Sequence, residues 1–248
     1  MDKFRYDSYA QEIIFGVGSL NHLSELVDRL SCQRLMLCAN QSMRIGGHIT
    51  SVENILGDRL IAVFDQVQPH VQDVQFDEVA ALAIESNIEA IIGIGGGSPI
   101  GMAKAVSAAL KKNSSSTFPV IAIPTTYAGS EMTPVYGVTL TKEDPPRKVT
   151  SHNPQIVPRI VIYDPNLTLD LPPAMTASTG INALAHCVEA LYSITRNPIS
   201  TAAAARGVHH IFDSLLRCYT HPDHLEARTE MLLGSHLAGL SLASVKMG

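Results

Sequence analysis

The chain has 248 residues, enough for one large domain or two modest ones with a sizeable core. Apolar residues make up 46% of the sequence and charged residues 17%, which excludes a disordered protein. The formal net charge of −5 is mild and spread along the chain, so neither nucleic acid nor a membrane is an expected partner.

The cysteines and the N-terminal sequence indicate the cellular compartment of the protein. None of the four cysteines belongs to a C-x-x-C pair, so no thiolate metal site is expected and a reducing compartment fits. The N-terminal stretch has no apolar signal core, and no run is long and apolar enough to span a bilayer. We therefore expect a cytoplasmic protein.

The first two thirds of the chain alternate between short apolar runs and helical periodicity. Short runs that are apolar throughout are typical of parallel strands covered on both faces. Four such runs are LMLCA at 35–39, AIIGI at 90–94, VIAI at 120–123 and IVIY at 160–163. Residues 20–30 and 74–86 place apolar side chains at helical spacing. This alternation predicts an open α/β domain.

The pattern changes after Pro172-Pro173. Long stretches rich in Ala and Leu, at 179–194, 200–216 and 225–245, predict helices without intervening strands. The predicted organisation is an α/β cofactor-binding domain at 1–172 and an all-helical substrate domain at 173–248.

A glycine-rich turn follows the second predicted strand. Gly95-Gly96-Gly97-Ser98-Pro99 leads from that strand into a helix. Glycines let backbone N–H groups approach a pyrophosphate that any Cβ would block, and the helix N-terminus attracts the phosphates. Ser98 is a candidate cap of that helix. The alternative is a tight strand–helix turn without a ligand, and three successive glycines favour phosphate binding.

Two further segments carry polar groups that fit a site. The loop after the third strand, residues 124–131 (PTTYAGSE), offers hydroxyls where open α/β sheets bind ligands, although an ordinary capped turn explains it equally well. Asn182 and His186 lie four residues apart on one face of an apolar helix. On that observation alone, a hydrogen-bonded core histidine is the favoured interpretation.

Taken in order, these segments resemble one superfamily over nearly the whole chain. The GGGSP turn, the PTT-x-x-G-S-E loop, the RKV…IVIYDP region and the N-A-x-x-H-x-x-E-A helix are similar to those of the iron-containing alcohol dehydrogenases. The loop containing Tyr127, and Asn182 where metal-dependent members carry an Asp ligand, resemble the maleylacetate reductases within that superfamily.

The resemblance implies a fold, a reaction and a set of residues. The fold would be dehydroquinate synthase-like: an α/β dinucleotide-binding domain followed by an all-α domain. The reaction would reduce maleylacetate to 3-oxoadipate with NADH or NADPH, in the degradation of aromatic compounds, without a metal and as a homodimer. The implied catalytic residues are His186, Asn182 and Tyr127. The implied cofactor-binding residues are Ala39, Asn40, Gly95, Gly96, Gly97, Ser98, Thr125, Thr126, Ser130 and Lys148.

The sequence departs from the superfamily pattern in three places. Ala39-Asn40 replaces the Asp often found where NAD is preferred, and Gly101 stands where dehydrogenases commonly have Asp. The superfamily also continues with a His-rich helix, which predicts that this chain is truncated. The alternative functions are a metal-dependent alcohol or glycerol-type dehydrogenase, a lyase of the dehydroquinate synthase type, and a non-catalytic nucleotide-binding remnant.

Overall fold

The computed structural model describes residues 3–4, 6, 8–112 and 118–246. The chain divides into two compact units. One, the sheet unit, comprises Gln11–Pro124 and Pro134–Asp164; the other, the helical unit, comprises Met1–Ala10, Thr125–Thr133 and Pro165–Gly248.

The sheet unit is built on parallel strands. Among the described residues six strands form one sheet in the order β1-β8-β5-β4-β2-β3. Their bounds are Glu12–Phe15 (β1), Leu35–Cys38 (β2), Leu60–Phe64 (β3), Ala90–Gly95 (β4), Val120–Pro124 (β5) and Ile160–Tyr163 (β8). The four predicted strands are confirmed. The edge strands β1 and β3 were not predicted, because each is covered less completely than the inner strands and its apolar run is less distinct.

A separate antiparallel hairpin completes this unit. Strand β6 (Val135–Leu140) pairs with β7 (Arg147–His152), and Thr139 lies opposite Lys148. Strand β7 is largely exposed and polar, so it lacks the apolar pattern that predicts a strand.

Five helices of the sheet unit lie within the described residues. They are α1 (Leu23–Arg29), α2 (Gln41–Ile45), α3 (His48–Leu56), α4 (Asp73–Glu85) and α5 (Gly97–Lys112). The helix predicted at 20–30 is a short 3-10 turn at Ser19–His22 followed by α1. Side chains of α4 and α5, such as Val79 and Val106, pack with Met36 and Ile91 of the sheet in one apolar cluster.

The helical unit contains the three predicted helices, here α6 (Pro173–Tyr192), α7 (Pro198–Thr220) and α8 (Leu225–Ser244). Asn197 begins α7 with a capping box, since its side chain accepts from the N–H of Ser200 and the Ser200 hydroxyl accepts from the N–H of Asn197. Glycine permits close crossings: a Cβ on Gly207 would lie 2.6 Å from Cys187 Sγ, and one on Gly234 would lie 2.7 Å from Ile211 Cγ1. Across the described residues, every helix is too short or too polar to cross a membrane.

The two units divide the chain differently from the predicted domains. The helical unit begins at Pro165 rather than at residue 173, and it also takes in Thr125–Thr133. The reason is packing: Gly129 has φ +75°, and a Cβ there would lie 3.2 Å from Gly239 Cα on α8. A tertiary contact of this kind leaves no periodic signal in the sequence.

Burial gives the helical unit a predicted pH dependence through His236 on α8. Burial lowers the pKa of His236 from its ordinary value of 6.5. The unfolded chain therefore takes up a proton at a higher pH than the folded one, so stability is fully present above about pH 6.5 and is lost as the pH falls. We expect the melting temperature to drop between pH 7 and 5, and to drop less in His236→Gln. Parallel curves for the two proteins would contradict this account.

Candidate functional site

The carboxyl ends of β2 and β4 form a switch point in the sheet. From β2 the chain runs to β3 on one side, and then returns to β4 on the other side of β2. The two connections therefore leave β2 in opposite directions, and open α/β sheets bind their ligands outside the strand ends at such a switch point.

Gly95 ends β4 at this switch point. Its φ of +132° is a conformation that side chains rarely adopt. A Cβ on Gly95 would lie 3.0 Å from Pro99 Cγ and 3.5 Å from Asn40 Oδ1, so the ends of the two strands lie close together. Gly96 and Gly97 follow at half-buried positions, where the chain turns into α5. The predicted glycine turn and the end of β2 are thus brought to one place.

Gly93 has a different role from the glycines of the turn. It is buried within β4, and a Cβ there would lie 2.9 Å from Ile100 Cα and 3.1 Å from the Pro99 carbonyl oxygen. This glycine is required by packing of the strand against α5.

Ser98 lies inside α5 and is not the predicted cap. Its Oγ accepts a hydrogen bond of 3.1 Å from the N–H of His70. His70 and Val71 have φ of +66° and +30°, uncommon values for non-glycine residues. A Cβ on Gly101 would lie 3.3 Å from Val71 Cγ2, so a glycine in place of the superfamily's Asp leaves room for Val71. Sequence reasoning missed this segment, because its contacts with α5 are long-range.

Ala39 and Asn40 follow β2. Ala39 is fully buried, and its backbone donates to the Phe64 carbonyl (2.8 Å) and accepts from the Val67 N–H (3.0 Å). Asn40 precedes α2, and its Oδ1 accepts from Ser42 Oγ at 3.2 Å. The strand end therefore presents a neutral amide where a carboxylate would select the ribose 2′-hydroxyl.

Lys148 is exposed on β7, and its side chain crosses the face of the hairpin above Gly137. A second lysine, Lys104 on α5, is fully buried, and its Nζ donates to the Val135 carbonyl oxygen at the start of β6. Lys104 thereby connects the helix that follows the glycine turn with the hairpin that carries Lys148.

In the helical unit, Thr125, Thr126 and Tyr127 are buried, and Ser130 begins a short 3-10 turn, Ser130–Met132. Tyr127 has no exposed surface, and Arg228 Nη1 donates to its hydroxyl at 3.1 Å. Burial raises the pKa of Tyr127 to about 12 despite the opposing effect of Arg228. In this structure the predicted catalytic Tyr127 is therefore a buried neutral phenol, and its hydroxyl is hydrogen-bonded to Arg228 on α8.

Sequence reasoning missed Arg228. It is fully buried on α8, and it donates to Thr176 Oγ1 (2.9 Å) and to the carbonyl oxygens of Leu171 (3.3 Å) and Pro222 (2.9 Å) as well as to Tyr127. An arginine in the largely apolar α8 was the available signal, because a buried charge needs polar partners.

Asn182 and His186 lie one turn apart on α6 as predicted, with Asn182 Nδ2 and His186 Nε2 3.0 Å apart. Asn182 is exposed and His186 half-buried, with its Nδ1 atom buried and lacking a hydrogen-bond partner. Burial lowers the pKa of His186, which favours the neutral imidazole. The pair offers a neutral nitrogen and an amide to a ligand.

Comparison with known proteins places these features in a family. Residues 10–165 match the family model described as iron-containing alcohol dehydrogenase, and residues 176–248 match the C-terminal model of the Fe-containing alcohol dehydrogenase family. The chain belongs to the iron-containing alcohol dehydrogenase family. It is thus an oxidoreductase of the NAD(P)H-dependent type, and its predicted fold class is confirmed.

Among individual proteins, the chain is similar to maleylacetate reductases and to other reductases of known structure. The chain is 37% identical over 248 residues to maleylacetate reductase of Burkholderia cepacia, covering 100% of the chain and 67% of the relative. Maleylacetate reductase from Agrobacterium tumefaciens has a similar structure, with a TM-score of 0.91, 33% identity and coverage of 100% and 67%. Sulfoacetaldehyde reductase from Bifidobacterium kashiwanohense, solved with NAD⁺, gives a TM-score of 0.93 at 25% identity, covering 100% and 69%. The chain thus spans about two thirds of these relatives' length.

The prediction that no metal is needed is wrong at the level of the family, which is described as iron-containing. His186 fits such an ion in part, because imidazole nitrogen is a common iron ligand and its Nδ1 has no hydrogen-bond partner. Asn182 would add only a neutral amide oxygen. The described residues contain no group of three or more His, Cys, Asp or Glu side chains placed to hold a metal. His186 and Asn182 are the residues here that would face the ion, which would polarise a substrate carbonyl.

Proposed function

We propose that this protein is a maleylacetate reductase, which transfers a hydride from NADH or NADPH to maleylacetate and yields 3-oxoadipate and the oxidised cofactor. The proposal that the protein binds a dinucleotide is supported by the position of Gly95 beside Asn40 at the switch point of the sheet. The substrate part is supported by identities of 34–37% to maleylacetate reductases over nearly the whole chain.

In this proposal the sheet unit holds the dinucleotide. Backbone N–H groups of Gly95, Gly96, Gly97 and Ser98 bind the pyrophosphate at the start of α5. Ala39 and Asn40 lie beside the adenine-side ribose, and the neutral Asn40 neither selects a free 2′-hydroxyl nor repels a 2′-phosphate, so both cofactors are accepted. Lys148 binds the ribose next to the nicotinamide. These assignments rest on position at the strand ends and on the family resemblance.

The helical unit supplies the other proposed residues. Thr125, Thr126 and Ser130 bind cofactor, and their loop is fixed by the buried hydrogen bond between Tyr127 and Arg228. His186 and Asn182 face the substrate. Hydride addition to the carbon–carbon double bond sends the electron pair to the conjugated carbonyl as an enolate, and a proton then completes the reduction. Polar groups such as the neutral His186 stabilise the developing enolate charge.

The assay follows absorbance at the NADH band in the purified protein. We expect oxidation of NADH or NADPH with maleylacetate, and no reduction of NAD⁺ with simple alcohols. Equal or faster reaction with alcohols would assign the protein to an alcohol dehydrogenase instead. Light scattering of the same sample tests the predicted homodimer, and elemental analysis measures bound iron.

A further inference from the structure

Gly137 lies on β6 beneath the side chain of Lys148. Residues 137 and 139 share one face of the strand, and Thr139 is directly opposite Lys148 on β7. Lys148 therefore reaches diagonally across Gly137. A Cβ built on Gly137 would overlap Lys148 Cε and would lie 3.4 Å from its Cγ and 3.5 Å from its Cδ. The lysine stem therefore occupies the space that a side chain at position 137 would fill.

The backbone gives no other reason for a glycine at this position. Gly137 is not among the described glycines with positive φ, so an alanine can adopt its conformation. Glycine within a strand also weakens the strand relative to alanine. The atoms nearest to a Cβ at position 137 all belong to the Lys148 side chain, which would have to shift to make room for it.

The hairpin under Lys148 is fixed to the same segment that contacts the glycine turn. The Thr139 N–H donates to the Val71 carbonyl at 2.8 Å, and Asp73 Oδ1 accepts from the Thr141 hydroxyl (2.6 Å) and N–H (3.1 Å). Those hydrogen bonds lower the pKa of Asp73, so its carboxylate is charged at neutral pH. Because these hydrogen bonds hold β6 in place, the position of the Lys148 ammonium group depends on the direction in which the lysine stem runs.

We propose that Gly137 is a positioning residue for cofactor binding: its bare backbone forms a groove that directs the Lys148 ammonium group to the nicotinamide-side ribose. This inference rests on the proposed function, in which Lys148 contacts the cofactor. A methyl group at position 137 moves the ammonium group away without changing the charge of the protein.

The test is a double-mutant cycle read by NADH fluorescence, which needs no turnover. We expect Lys148→Met to weaken NADH binding about tenfold, the loss of one charge-assisted hydrogen bond. Gly137→Ala should weaken it several-fold, and the double variant should bind no worse than Lys148→Met alone. The melting temperature of Gly137→Ala should be unchanged or higher, and its KM for NADH should rise while its KM for the second substrate stays constant. Ser151→Ala, on the other face of β7, is the matched control and should bind NADH normally.

The outcomes separate the inference from the proposed function. If Lys148→Met weakens binding and Gly137→Ala does not, the positioning role is wrong and the cofactor site stands. If Gly137→Ala weakens binding equally with and without Lys148, the methyl group distorts the hairpin and the inference is overturned. If Lys148→Met leaves binding unchanged, the proposed contact of Lys148 with the cofactor is itself wrong.

Discussion

Replacing Arg228 by leucine should strongly destabilise the helical unit. The buried guanidinium of Arg228 donates to four oxygens from different parts of the helical unit. They are the Tyr127 hydroxyl in the Thr125–Thr133 loop, the Thr176 hydroxyl on α6, the Leu171 carbonyl before α6 and the Pro222 carbonyl before α8. Among the described residues these acceptors are all neutral oxygens. Leucine removes these donations from the buried Tyr127 and Thr176 hydroxyls and from two half-buried carbonyls, of which that of Leu171 still accepts from the Thr176 hydroxyl at 3.3 Å. Each buried polar group left without a partner costs about 1–3 kcal/mol.

Several unsatisfied groups together predict a loss of about 3–5 kcal/mol, although removal of a buried charge offsets part of it. In a protein of this size that corresponds to a fall in melting temperature of about 10 °C or more. Thermal unfolding followed by circular dichroism measures it. Arg217→Leu removes an exposed arginine from α7 and is the matched control, expected to change the melting temperature little. A similar small effect at both positions would refute the structural role of Arg228.

The second large effect is expected from Gly96→Val, which should weaken NADH binding about a hundredfold while the protein stays folded. Gly96 is half-buried at the turn, and its carbonyl accepts from the Ile100 N–H as α5 begins. A valine side chain there separates the backbone N–H groups from a pyrophosphate, and the loss of one or two charge-assisted hydrogen bonds gives an effect of that size.

Gly93→Val is the informative comparison for Gly96→Val. A side chain on Gly93 meets the backbone of α5 at 2.9 Å, so this variant should lose both folding and binding. Binding is measured by NADH fluorescence and folding by circular dichroism. If Gly96→Val binds NADH normally while folded, the glycine turn is only a packing device and the cofactor lies elsewhere.

The sequence predicted the inner strands, the glycine turn and the three long helices because their signals are local. A buried parallel strand such as Ile160–Tyr163 is apolar over consecutive residues, and a helix repeats every few residues. Strand β7 gave no such signal, since it is exposed and polar and is recognised only by its pairing with β6. The sequence likewise contains no sign that the Thr125–Thr133 loop groups with the helices, because it does so through contacts with residues far along the chain.

The candidate site divides in the same way. Sequence alone determined the type of fold, the family, and the residue types that could hold a dinucleotide, because glycines after a strand and an Asn/His pair on one helix face are short-range patterns. Three contacts are seen only in the tertiary structure. Asn40 lies beside Gly95, the Lys148 side chain lies over Gly137, and Arg228 donates to the hydroxyl of Tyr127, 101 residues away. Those arrangements depend on which strands and helices become neighbours, and that is decided by the burial of the whole apolar surface and not by any segment alone.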